Sequence, residues 1–188
     1  MRIIPKPLHP WLECTLCGLH RTRRNVVFGR GTIPADVLFL GIGPGMAEDV
    51  LGRAFVGPSG KIVDESVKDA SQKAGWTPRC YFANLVACRP TDTKTGVNRD
   101  PFEDEMMACR PRLMKTVDVV RPQKIILLGE TVKVEARKLF PDAELLPHPA
   151  SVLYSGGRFC HAIQTVAYRR FWMALWAIFE RARKEMGE

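Results

Sequence analysis

The sequence predicts an α/β fold built on a four-stranded parallel sheet, and three observations carry that prediction. Short apolar runs alternate with longer amphipathic stretches along the chain. The runs end in turn-forming residues or chain reversals. The 188 residues, 46% of them hydrophobic, suffice for one domain with a sizeable core. Strands joined through helices pair in parallel and are covered on both faces. The first strand is expected at Val37-Leu38-Phe39-Leu40-Gly41-Ile42, stopped by the turn-former Gly43-Pro44-Gly45. Apolar positions at helical spacing from Ser59 to about Ala74 predict a helix with Ser59 as its cap. Tyr81 to Ala87 is the second strand candidate, and Phe102 to Val120 reads as a helix stopped before Pro122, since proline disfavours helical backbone in the residue ahead of it. Lys124 to Gly129 is the third strand, Thr131 to Phe140 a helix and Glu144 to Leu146 a short fourth strand. Thr165 to Met186 closes the chain as a long helix whose Phe171, Trp172, Leu175, Trp176 and Phe179 face a core. No repeat interrupts this order, so residues 1–188 are expected to form a single domain.

Charge narrows the function. Twenty-eight Lys and Arg against twenty Asp and Glu leave a net charge of +8. Such an excess favours a polyanionic partner, because neutralising phosphates releases counterions. The basic residues cluster at Arg21, Arg23, Arg24 and Arg30 and again at Arg169, Arg170, Arg181, Arg183 and Lys184. The longest uncharged apolar runs, Val37 to Ala47 and Phe171 to Phe179, are about half a membrane span, and the N-terminal residues lack the apolar core of a secretory signal. The expectation is a soluble cytoplasmic protein, monomeric for want of an obvious pairing surface.

In a parallel sheet the ligand sits beyond the carboxyl ends of the strands. Gly43-Pro44-Gly45, Asn84 to Arg89, Gly129-Glu130 and His148-Pro149 all end or follow a strand, so four separate segments are expected to converge on one cleft.

Six cysteines without a secretory signal point to metal or thiol chemistry rather than a disulfide framework. Cys14 and Cys17 form a C-x-x-C, Cys88 ends an apolar run, and Cys109 lies in a predicted helix. A C-x-x-C joined to two distant cysteines suits zinc or an iron–sulfur cluster, and spacing leaves both open. Cys80 and Cys160 read as small, partly buried residues.

Taken in order, Cys14-x-x-Cys17, Gly41-Ile42-Gly43-Pro44-Gly45-Met46-Ala47-Glu48-Asp49, Gly52-Arg53-Ala54-Phe55-Val56-Gly57-Pro58-Ser59-Gly60, Asn84-Leu85-Val86-Ala87-Cys88-Arg89-Pro90, Asn98-Arg99-Asp100-Pro101, Cys109, Leu127-Leu128-Gly129 and His148-Pro149 span most of the chain. This set resembles the family 4 uracil-DNA glycosylases. The resemblance implies a three-layer α/β/α sandwich, DNA as partner, and a 4Fe–4S cluster held by Cys14, Cys17, Cys88 and Cys109, in preference to zinc. It also places His148 beside the departing base.

The residue chemistry agrees with base excision, which takes a base out of the stack into a small pocket. Phe55, in a Gly-rich loop, offers a ring face to a flipped base. The Asn84 amide donates to a carbonyl and accepts from a ring N–H, the pattern of a uracil edge. His148 supplies a donor where charge collects on the leaving base. Ser59, Arg89 and Arg158 are candidate DNA contacts, and Val152, Leu153 and Tyr154 are apolar enough to fill the gap a flipped base leaves.

The first motif departs from the family. Family 4 enzymes usually read Gly-Glu-Ala-Pro-Gly there, whereas this chain has Ile42 and Gly43, with no polar side chain at either place. Gly43 is expected to leave extra room beside the sugar or base. The nearby carboxylates are Glu48 and Asp49. Three readings follow: uracil excision with a substitute group, excision of a larger modified pyrimidine such as occurs in phage DNA, or binding of DNA or uracil without cleavage.

Overall fold

A computed structural model describes residues 4–156 and 162–187. Five strands form its sheet: β1 (Arg30–Gly31), β2 (Val37–Gly41), β3 (Cys80–Asn84), β4 (Lys124–Leu128) and β5 (Glu144–Leu146). Their order is β1-β3-β2-β4-β5, with β2, β3, β4 and β5 parallel and β1 antiparallel to β3 at the edge. The four expected strands are present, and the expected four-stranded parallel sheet is corrected to a mixed one of five. A two-residue strand of Arg and Gly has no apolar periodicity, so nothing in its composition announces it.

Among the described residues six α-helices surround the sheet: α1 (Met46–Leu51), α2 (Pro58–Ala74), α3 (Glu103–Val120), α4 (Glu130–Ala136), α5 (Ala150–Gly156) and α6 (Val166–Met186). Side chains alternate across a strand, and that alternation produces the three layers. Val37 and Phe39 of β2 face α2, α5 and α6, together with Phe82, Ile126 and Leu146. Leu38 and Leu40 face α3 and α4, together with Ala83 and Leu127. Every residue of β2 is buried, as a central strand covered on both faces requires. A third cluster seats the N-terminal segment on the residues after β3, through Leu8, Leu19, Val26 and Phe28 against Val86 and Ala87.

Local rules explain most helix ends. Thr165 caps α6 by accepting the Tyr168 N–H at 3.1 Å, and glycines in left-handed backbone end α1, α2 and α6. The expected Ser59 cap is corrected. Pro58 opens α2, Gly57 precedes it, and no side chain of α2 itself caps the start. Tyr168 donates its hydroxyl to Asp69 at 2.7 Å, which locks α6 to α2. Several basic residues serve this frame: Arg183 donates to the Ala74 carbonyl at 2.8 Å, and Arg181 pairs with Glu144 at 2.9 Å. No helix among the described residues is long and apolar enough to cross a membrane.

Leu175 is fully buried between α6 and the sheet. Leu175→Ala should lower the unfolding free energy by about 2–5 kcal/mol, through lost burial and the cavity left behind, as measured by urea denaturation.

Candidate functional site

The carboxyl ends of β2, β3 and β4 open into one cleft of about 1110 Å3. Its walls carry Gly41 to Glu48, Phe55, Gly57 to Gly60, Asn84, Asn98 to Asp100 and His148. Three of the four segments expected from the strand ends line it, whereas at the third strand the lining residue is Leu128 and the expected Gly129-Glu130 lies just behind, with Gly129 packed on His148.

Asn84, the last residue of β3, is only 3% exposed. Its amide occupies the space over Gly41: a Cβ on Gly41 would lie 2.5 Å from Asn84 Oδ1 and 3.0 Å from Phe55 Cζ. A glycine at the end of β2 is therefore what lets both side chains reach the cleft floor.

Phe55 adopts a left-handed backbone, φ 54°, which is unfavourable for an aromatic residue and has to be held by its surroundings. Arg30 supplies one hold, donating from Nε to the Ala54 carbonyl at 2.8 Å and from Nη2 to the Phe55 carbonyl at 3.1 Å. Its guanidinium also pairs with Asp64 and sits 4.3 Å from the centre of the Phe82 ring. Glu48 supplies the other. Its Oε1 accepts the Val56 and Gly57 N–H groups at 2.9 and 2.8 Å. Gly60 lets α2 pass close beneath, because a Cβ there would lie 2.1 Å from the Phe55 carbonyl oxygen. Ser59 lines the cleft at the start of α2.

His148 follows β5 and stands against Gly129, where a Cβ would approach the His148 Cβ to 3.1 Å. The Ala150 N–H donates to His148 Nδ1 at 3.1 Å. A backbone N–H only donates, so in the neutral ring the proton sits on Nε2, leaving that N–H as the imidazole's donor. Part of the ring is open to solvent, yet the protein packed around it displaces enough water to hold its pKa below the usual 6.5, against the opposing pull of the Asp100 carboxylate. The ring is neutral at pH 7.

Other expected residues are placed differently. Asp49 is 2% exposed, does not line the cleft, and accepts the Arg24 and Asn25 N–H groups at 2.9 and 3.1 Å, anchoring the N-terminal segment. Ile42 lines the cleft while packing on the core under α3 and α4. The extra room expected at Gly43 is taken: a Cβ there would meet Val86 Cγ2 at 3.0 Å and the Pro90 ring at 3.1 Å. Arg89 is outside the cleft lining and binds the Asn98 side chain at 2.6 Å and the Gly96 carbonyl at 2.9 Å. Val152 is buried in the core and Leu153 packs against it, whereas Tyr154 is 90% exposed at the cleft mouth. Arg158 and Cys160 lie outside the described residues.

A second, small cavity is lined by Cys14, Cys17, Cys88 and Cys109, all unpaired thiols. Two guanidinium groups point at its sulfurs: Arg23 Nη1 lies 3.5 Å from Cys88 Sγ, and Arg112 Nη2 lies 3.4 Å from Cys109 Sγ. Burial pushes the Cys88 thiol up to about 11, with Arg23 opposing. Among the described residues no three His, Cys, Asp or Glu side chains converge to hold a single metal ion. The donor set, four thiols around a shared cavity with cations beside two of them, fits a negatively charged thiolate-bound group. Cys80 lies elsewhere, its thiol raised to about 12 by burial and directed at the Pro78 carbonyl.

Sequence reasoning did not single out Arg30, Arg112 or Asp100 as site residues. Arg30 and Arg112 look like ordinary surface cations until the fold buries them. Asp100 sits beside Arg99 in a polar loop that gave no sign of facing His148.

Comparison with known proteins adds three findings. The family profile described as "Uracil DNA glycosylase superfamily" matches residues 28–175, so Cys14 and Cys17 precede the matched region. The type-4 uracil-DNA glycosylase of Saccharolobus solfataricus is 38% identical over 117 residues, 62% of this chain and 51% of that protein. Those of Thermotoga maritima and Pyrobaculum aerophilum are 36% and 35% identical over 119 and 123 residues, covering 63% and 65% of this chain and 58% and 59% of theirs. The chain thus spans between half and three-fifths of the length of these curated relatives.

Long-range 1H–15N NMR should show His148 as the Nε2–H tautomer at pH 7, with a titration midpoint below 6.5. A midpoint above 6.5, or an Nδ1–H signal, would contradict the geometry described.

Proposed function

Because the chain belongs to the uracil DNA glycosylase superfamily, we propose that it flips uracil out of DNA and hydrolyses its N-glycosidic bond, leaving an abasic site. The observation that carries this reading is the meeting in one cleft of a buried amide, an aromatic ring and an imidazole whose Nδ1 takes a backbone N–H. Each matches one requirement of base excision.

The Phe55 ring supplies the stacking surface, worth about 1–3 kcal/mol per base. Its left-handed backbone fixes the ring before the base arrives, so little ordering remains to be done on binding. Asn84 reads the base. The N–H of its amide meets a uracil carbonyl and its oxygen meets the ring N–H, in the space that Gly41 leaves open. Cytosine presents an acceptor in place of that ring N–H and loses the second bond, leaving a buried polar atom unpaired.

His148 serves the leaving group. As the bond from C1′ to the base nitrogen lengthens, negative charge spreads to the base carbonyls. A pre-placed Nε2–H stabilises that charge without giving up its proton, and the bond from Ala150 holds the ring in that tautomer. The net positive charge supplies the general attraction to phosphates.

Cys14, Cys17, Cys88 and Cys109 are the residues that would hold the 4Fe–4S cluster expected from the family resemblance. Bound there, the cluster would cross-link the N-terminal segment to the end of β3 and to α3. The four thiols ring a cavity, and Arg23 and Arg112 stand ready to balance negative charge on sulfur.

Excision of a larger modified base is less favoured, since Gly43 opens no added space. The deciding experiment is a glycosylase assay on oligonucleotides carrying uracil, cytosine or modified pyrimidines, followed by alkali. Cleavage at uracil is expected. Binding without any alkali-labile site would instead identify a non-catalytic DNA-binding protein.

Two further results are expected. His148→Ala should lower the single-turnover rate about 10²–10³-fold, the usual loss when one charge-stabilising donor is removed, and Asn84→Ala should also erase discrimination between uracil and cytosine. Protein purified without oxygen should show the broad visible absorbance of iron–thiolate charge transfer, absent from Cys88→Ser; colourless protein containing zinc would overturn the cluster assignment.

A further inference from the structure

The first motif brings no carboxylate to the cleft, and Asp49 is turned away into the N-terminal segment. The carboxylates lining the cleft are Glu48 and Asp100. Glu48 is committed, since its Oε1 takes two backbone N–H groups that hold the Phe55 loop, and loading it with a proton would weaken that hold. Asp100 is different. It is exposed to the cleft, and no described residue donates a hydrogen bond to its carboxylate.

Its backbone is nevertheless fixed on both sides. The Arg99 N–H bonds to the Pro90 carbonyl at 3.2 Å, and the Arg99 guanidinium reaches the Asp100 carbonyl at 2.9 Å. The same guanidinium is bidentate on Glu105, at 2.6 and 2.8 Å, and lies 3.8 Å from the centre of the Phe102 ring. Glu105 in turn accepts the Phe102 N–H at 2.8 Å, and Pro101 between them restricts the chain further. A loop this heavily tied carries a carboxylate with nothing to hold. The segment also crosses the first motif: Asn98 Nδ2 lies 3.6 Å from where a Cβ on Gly45 would be. Asp100 therefore lines the same cleft as Ile42, Gly43 and His148, and its charge reaches the His148 ring.

We propose that Asp100 is the catalytic carboxylate of this chain, receiving the proton of the attacking water from the loop that leads into α3. The assignment rests on the glycosylase reading given above. Water oxygen bonds to C1′ of the flipped nucleotide while one of its protons passes to the Asp100 carboxylate. The bond from C1′ to the base nitrogen breaks, and its electron pair leaves with uracil, whose charge the His148 Nε2–H stabilises. The uracil anion then takes up a proton, Asp100 releases its own to solvent, and the products are uracil and an abasic sugar bearing the new hydroxyl. The same carboxylate, on the wall of the cleft, also opposes positive charge developing on the sugar.

The test measures single-turnover uracil release and, separately, binding to an oligonucleotide whose 2′-fluorinated deoxyuridine resists cleavage. Asp100→Asn should release uracil about 10²-fold or more slowly than the unmodified chain, with binding of the fluorinated oligonucleotide unchanged. Glu103→Gln, which removes a nearby exposed carboxylate from the start of α3, controls for net charge and should leave both unchanged. Added formate should restore part of the rate to Asp100→Gly and none to His148→Ala, because a free carboxylate replaces only a missing carboxylate. An Asp100→Asn rate within about threefold of the unmodified chain, or a loss of binding that accounts for the lost rate, would overturn the assignment while leaving the glycosylase reading intact. If the unmodified chain releases no uracil, that reading falls and the Asp100 assignment falls with it.

Discussion

The guanidinium of Arg112 ties together the parts of this protein that matter most to its cleft. It belongs to the largest fully buried side chain among the described residues, 1% exposed in the middle of α3. Its Nη2 donates to the Asn84 carbonyl at 2.9 Å and the Leu85 carbonyl at 2.6 Å, and lies 3.4 Å from Cys109 Sγ. A buried cation is tolerated only where its surroundings replace the water it has lost. Here two carbonyls at the end of β3 and a sulfur of the cysteine cavity do so for Nη2, while Nε and Nη1 have no bonded partner among the described residues. The residue that presents the Asn84 amide and a residue that lines the cysteine cavity are thus held by one charge. Removing it would leave two carbonyls and a strand end without their donor.

Around that tie, the cleft is built by subtraction as much as by placement. Gly41 gives up a side chain so that Asn84 and Phe55 can occupy its space, Gly60 does so for the Phe55 carbonyl, and Gly129 for His148. The strain at Phe55 is offset from two directions by residues outside its loop, Arg30 from β1 and Glu48 from α1. Glu48, a cleft carboxylate by position, spends one oxygen on backbone. The edge strand of two residues has its purpose here too, since it carries Arg30 to the loop and pairs with Phe82, whose ring stacks on Phe39 in the core.

The parallel strands and the long helices were legible because their signals are periodic. Val37 to Leu40 is an unbroken apolar run, and it is buried on both faces. The convergence of Gly43, Asn84 and His148 was legible as well, through the rule that parallel strands deliver their ligand sites at one edge, whereas Phe55 was marked by its Gly-rich loop. What escaped was carried by single residues whose role depends on contacts far along the chain. Ser59 has the right chemistry for a cap, but Pro58 begins the helix one residue earlier and Glu48 bonds the loop ahead of it. Asp49 and Glu48 are neighbours in sequence and point to different places, one under the N-terminal segment and one into the cleft. Gly43 reads as an opening only while Val86 and Pro90 are unplaced.

The contrast between Gly41 and Gly43 bears on how such a cleft can change over evolutionary time. At Gly41 any added carbon strikes the base-reading amide, so the position is closed to drift for as long as Asn84 is needed. At Gly43 the obstruction is a valine methyl and a proline ring, which would have to give by a few tenths of an ångström before a side chain could fit. Two glycines separated by a single residue thus carry different constraints: a side chain at one collides with the base-reading amide, and at the other it presses only on apolar packing behind the cleft.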